Sequence, residues 1–88
     1  MRYRKLPVTI DAHQWDGTNR GATPIINWIL RDGGTARYHP GNPDYIAIDT
    51  LEGTMMATPN DWVIKGVQGE FYACKPEIFA ATYEAVEE

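Results

Sequence analysis

Apolar and polar residues alternate through PVTIDAHQW, residues 7–15. Val8, Ile10 and Ala12 fall on one side; Thr9, Asp11 and His13 fall on the other. A period of two marks a half-buried strand. After a polar loop over Gly17–Gly21 the period lengthens. In TPIINWILRDGG, Ile25, Ile26, Ile29 and Leu30 form a stripe at helical spacing. The pattern predicts a main helix over about 23–32. Thr23 serves as its N-cap, Pro24 takes the first helical position, and Gly33 or Gly34 ends it. TARYH and DYIAIDT read as strands joined by the breaker PGNP, with Tyr45, Ala47 and Asp49 alternating against Ile46 and Ile48. LEGT and TPND are further turns around MMAT.

In DWVIKGVQGEFYACKPEIF, residues 61–79, a four-residue connection over Gly66–Gly69 places Lys65 opposite Glu70. Trp62 then pairs with Ala73, Val63 with Tyr72 and Ile64 with Phe71. That register puts Trp62, Ile64, Phe71 and Ala73 on one apolar face, which is expected to meet the helix. Val63, Lys65, Glu70, Tyr72 and Cys74 form a mixed second face. Pro76 opens a C-terminal helical turn over about 76–81, with Ile78 and Phe79 inward, and TYEAV reads as a closing strand. The expectation is an α+β fold: a small, mostly antiparallel sheet of five or six short strands with one main helix.

Length limits this to a single domain spanning residues 1–88. So short a chain buries only a little over about 60 % of its unfolded surface, so a homo-oligomer is expected. The net charge of −4 argues against general nucleic-acid binding, though a single anionic ligand needs only two or three cations. No apolar run is long enough to span a bilayer, and the basic start MRYRK lacks the apolar stretch of a signal peptide. One cysteine excludes an internal disulfide and fits a reducing cytoplasm.

Candidate chemistry is sparse. His13, His39 and Cys74 lack ligand spacing, so no metal site and no cofactor is expected. Cys74 with either histidine lacks the local context of a nucleophile. Asp11, Asp16, Asp49, Asp61 and Glu70 are not brought to one cleft by any sequence argument. Asp61 is assigned to bracing the TPND turn, Glu70 to pairing with Lys65, and Trp28 and Trp62 to packing. The remaining ligand-binding candidates are Arg37, Tyr38, His39, Tyr45, Lys65, Tyr72 and Trp15. Aromatic rings stack on bases and Arg or Lys holds phosphate. The same residue types are enriched at protein interfaces.

KLPVTIDAHQW and TPNDWVIKGVQGEFYACKPEIFAATYE together resemble a family of small uncharacterised bacteriophage and prophage proteins. Its members read (R/K)KxPVxIEAxQW near the start and PGDWIIKGVxGEFYPCKPDIFxxTYE near the end. Asn60 stands where that family usually has Gly, and Ala73 where it often has Pro. The resemblance implies a phage origin, the cytoplasm of an infected bacterium as the site of action, and antagonism of a host process. The leading expectation is a non-enzymatic anti-defence protein that sequesters a nucleotide-like signal. The alternatives are an inhibitor that binds a host protein through its sheet face, and a small hydrolase.

Overall fold

The computed structural model describes residues 1–4 and 6–86. Among them the order is β1 (Asp11–Gln14), α1 (Asn19–Arg31), β2 (Ala36–His39), β3 (Tyr45–Thr50), β4 (Gly53–Ala57), β5 (Trp62–Lys65), β6 (Phe71–Cys74) and α2 (Pro76–Thr82). The fold is α+β and antiparallel, as expected. The six strands, however, form two three-stranded sheets, ordered β1-β5-β6 and β2-β3-β4. No helix among the described residues is long and apolar enough to cross a membrane.

Helix α1 starts earlier than the expected 23–32. Thr18, not Thr23, is the N-cap: its Oγ1 accepts the Gly21 N–H at 2.9 Å. Asp16 holds Thr18 in turn, its Oδ1 accepting the Thr18 N–H at 2.9 Å and hydroxyl at 2.7 Å. These bonds pull the carboxyl of Asp16 below the usual range. The Trp15 indole donates to the Thr18 carbonyl at 2.8 Å. Three side chains, through four hydrogen bonds, thus organise the entry to α1, and Pro24 lies inside the helix at the expense of one backbone bond. The buried stripe shifts accordingly to Ala22, Ile25, Trp28 and Ile29, while Leu30 is exposed.

The β5–β6 register also differs from expectation by one residue. Lys65 faces Phe71, Ile64 faces Tyr72, Val63 faces Ala73 and Trp62 faces Cys74. The turn explains the shift. Gly69 N–H donates to the Gly66 carbonyl at 3.0 Å, and Gly66 N–H to the Glu70 carbonyl at 2.7 Å. Gly69 has φ +86, the left-handed conformation of a bulge glycine. That bulge adds one residue, and a slip of one exchanges the faces. Val63, Lys65, Phe71 and Ala73 therefore share the face toward α1 with His13. Trp62, Ile64, Tyr72 and Cys74 share the other with Ala12 and Gln14.

The core lies between α1 and the inner faces of the two sheets. Trp28 meets His13 and Phe71 edge-on, with ring centroids 4.6 and 5.1 Å apart. Ala36, Tyr38, Ile46, Ile48, Met55 and Ala57 share the inner face of β2-β3-β4. On the far side of β1-β5-β6, helix α2 stacks Phe79 on Trp62 at 4.0 Å and 5°. Ile64 on that face and Val63 on the other are both fully buried, so β5 is covered on both sides. Ile78, expected inward, is 55 % exposed, and residues 83–86 form no closing strand. The first strand is also shorter than expected, with Val8 outside it and exposed.

Candidate functional site

Asp61 is 2 % exposed and ties three parts of the chain together. Its Oδ2 accepts the Thr58 N–H at 2.9 Å and hydroxyl at 3.1 Å. Lys75 donates to both Asp61 oxygens, at 3.2 and 3.1 Å, and to Thr58 Oγ1 at 3.0 Å. Asp61 does brace the TPND turn, and Lys75, the residue ahead of α2, closes the cluster. Every polar group in it is matched, so it reads as architecture.

The seven ligand-binding candidates do not converge. Trp15 is fully buried in the core with its indole N–H engaged, and cannot stack on a ligand. Tyr38 points to the inner face of its sheet, edge-on to Trp15, and its hydroxyl donates to Asp44. That bond holds the Tyr38 hydroxyl above and the Asp44 carboxyl below their ordinary values. Lys65 is engaged by Asp32 at the end of α1, at 3.2 Å, and not by Glu70. Glu70 instead accepts the Gln68 N–H at 3.1 Å. Tyr72 lies on the opposite face from Lys65, its hydroxyl 3.4 Å from that of Tyr83; burial and this contact raise its pKa.

Three candidates do meet. On the outer face of β2-β3-β4 the register aligns Arg37 with Ala47 and Met56, and His39 with Tyr45. His39 and Tyr45 stack at 4.8 Å and 10°. Arg37 lies 3.6 Å from Asp49, which aligns with Thr54. Ala47, at the centre, is 2 % exposed; Met56 is 55 % exposed. The result is a platform with an aromatic pair at one end, an ion pair at the other and a methionine beside them. Met56 and Asp49 were missed as members, although the alternation of YIAID does place Asp49 with Tyr45. RYH was read as one group, yet strand parity sends Tyr38 inward between Arg37 and His39.

Three cavities bear on a ligand site. One of about 270 Å³ is lined by residues 8–12, Trp62, Phe79 and residues 83–86. The others, of about 380 and 330 Å³, flank the β3–β4 turn and the start of β6. No Arg, Lys or His lines any of them, and Asp49, Glu52 and Glu70 stand at the second and third. They offer little to a phosphate. Cys74 shares no face with His13, and His39 is in the other sheet. Burial also raises the Cys74 thiol, with Asp61 and Glu77 adding to the effect, which disfavours the reactive thiolate. No group of three His, Cys, Asp or Glu among the described residues is placed to hold a metal ion.

No family model matches the chain, and no curated protein or solved structure matches it.

Proposed function

We propose that this protein is a non-enzymatic binding module that inhibits a host protein by docking on it through the outer face of β2-β3-β4. The observation that carries the reading is the platform of Arg37, His39, Tyr45 and Met56 on one sheet face, none of which lines a cavity described above. Arg, Met and aromatic residues are the types enriched at protein interfaces, and a face without a concave pocket suits a protein surface better than a small molecule. The exposed Arg37–Asp49 pair supplies charges of both signs, which set register and orientation more than affinity. The partner chemistry that fits is therefore a surface with an apolar centre beside one acidic and one basic group. Phage origin, and with it the choice of a host partner, rests on the two motifs described above.

The test is capture from bacterial lysate followed by calorimetry with the captured protein. Arg37→Glu and Met56→Asp should each weaken binding at least about tenfold. Gln68→Glu, on the β5–β6 turn, should leave it unchanged. A captured partner that binds both face variants as tightly as the wild type would sink the proposal.

One observation favours a second reading. His39 and Tyr45 are stacked with Arg37 two residues along the same face, an arrangement able to take a base and a phosphate at once. A thermal shift caused by a nucleotide second messenger, and lost in Arg37→Glu, would favour sequestration of a nucleotide-like signal over inhibition of a protein.

A further inference from the structure

The segment ahead of β1 matches the cleft behind the β1-β5-β6 sheet. Residues 1–4 and 6–10 have no regular structure, and Tyr3 and Leu6 are 88 % and 78 % exposed. Arg2 and Arg4 alternate with Tyr3. The cleft, of about 270 Å³, has the stacked Trp62 and Phe79 in its lining, with Ile10 and Val86. Glu84 supplies a carboxylate to it, whereas the Asp11 side chain is on the other face of the sheet with Lys65. Among the described residues none of Arg2, Arg4 and Glu84 has an ion-pair partner. An apolar, acidic cleft thus stands unfilled beside an apolar, basic strip.

The strip is poorly placed to enter its own cleft. Val8 is already a cleft wall, so entry requires a chain reversal at Leu6-Pro7. Proline fixes its own φ and biases the residue before it to extended geometry, which carries the chain onward. Six extended residues reach up to about 20 Å, enough to cross to a neighbouring molecule. The geometry points to a homodimer formed by reciprocal exchange of residues 1–6. Tyr3 and Leu6 of each copy fill the cleft of the other, and Arg2 and Arg4 meet Glu84 there. A two-fold exchange is self-closing, so it stops at two copies. It uses no residue of the Arg37–Tyr45 platform, so either proposal can fail without the other.

Sedimentation equilibrium of the full chain tests this, alongside a variant lacking residues 1–6 and the pair Arg2→Glu/Arg4→Glu. The wild type should be dimeric at tens of micromolar (order of magnitude for a modest interface). Removal of residues 1–6 should leave a monomer with an unchanged circular dichroism spectrum. The charge-reversed pair should dimerise at least about tenfold more weakly. Mixing it with Glu84→Lys should restore association, because oppositely reversed arms and clefts then meet. Dimerisation that survives loss of residues 1–6, or a wild type that stays monomeric at about 200 μM, far above that range, overturns the proposal. So does a mixture of the two charge variants that associates no better than either alone.

Discussion

Replacing Asp61 with alanine removes the acceptor for four hydrogen bonds at a site the solvent does not reach. The Asp61 side chain is 3 % exposed, whereas that of Lys75 is 52 % exposed. The two sides of the cluster therefore carry different weights. Thr58 N–H and hydroxyl lose a charged, buried acceptor, worth about 2 kcal/mol together once their partial return to water is allowed for. The Lys75 ammonium is half in water, so its share is discounted to about 1 kcal/mol. The expected loss for Asp61→Ala is about 3 kcal/mol. Lys75→Met keeps the Thr58 bonds but strips the carboxylate of its counter-charge, for about 1–2 kcal/mol.

Urea denaturation measures both. At a slope of about 1 kcal/mol/M for so small a domain, Asp61→Ala should lower the midpoint by about 3 M. The double variant should cost less than the sum, with a coupling of about 1 kcal/mol. A local readout separates the brace from general loosening. Phe79 N–H donates to the Lys75 carbonyl at 2.8 Å as the first bond of α2, so its hydrogen exchange should quicken in Lys75→Met before that of β3. A loss below about 1 kcal/mol in Asp61→Ala, or a coupling near zero, would refute the assignment of the cluster as a brace.

Three further outcomes follow from the local geometry. Thr18→Ala should cost about 1 kcal/mol while Thr23→Ala is close to neutral, as read from urea midpoints; the reverse order would return the helix start to residue 23. Gly69→Ala should cost about 1 kcal/mol from backbone strain alone, because a methyl there meets nothing within 4 Å, and Gly69→Asn should cost less. The Asp32 carboxyl, held down chiefly by its hydrogen bond from Lys65, should titrate below its ordinary 3.8 by NMR and return toward it in Lys65→Met. Its folded pKa is the lower one, so its contribution to stability is present above the unfolded pKa and is lost as pH falls through the folded value.

Fold class was legible because apolar alternation and turn residues sit where the strands and turns form. TARYH, DYIAIDT, DWVIK and EFYAC each contain a strand, and MMAT holds the last three residues of β4, which begins at Gly53 within the expected LEGT turn. The helix start and the hairpin register departed from expectation for different reasons. Propensity favoured Thr23-Pro24 as a helix start, yet side chains at 15, 16 and 18 build a bonded entry five residues earlier. Proline's preference for a first turn is a weak prior and yielded to a complete set of caps. In the β5–β6 hairpin, GVQG fits both a four-residue connection and a bulged turn. Nothing local separates them, because Phe71 and Tyr72 are both large and aromatic and either can face the core.

The candidate site was legible only where a strand's parity was known. Arg37, His39 and Tyr45 share a face because each sits at an odd position of a regular strand pair, and that alternation is already written in RYH and YIAID. The residues that dropped out did so for tertiary reasons. Trp15 follows β1 on the same side as His13, the side toward α1, and is buried in the core, where its N–H has a carbonyl to meet. Lys65 moved to the helix side through the same bulge that reversed the hairpin faces, and found Asp32 there. A set of aromatics and cations in a sequence therefore identifies surface chemistry only after each has been excluded from the core and from a partner outside the shared face. Four of the seven fail that test here, and the three that pass lie on one sheet, beside a methionine that composition alone would have assigned to the core.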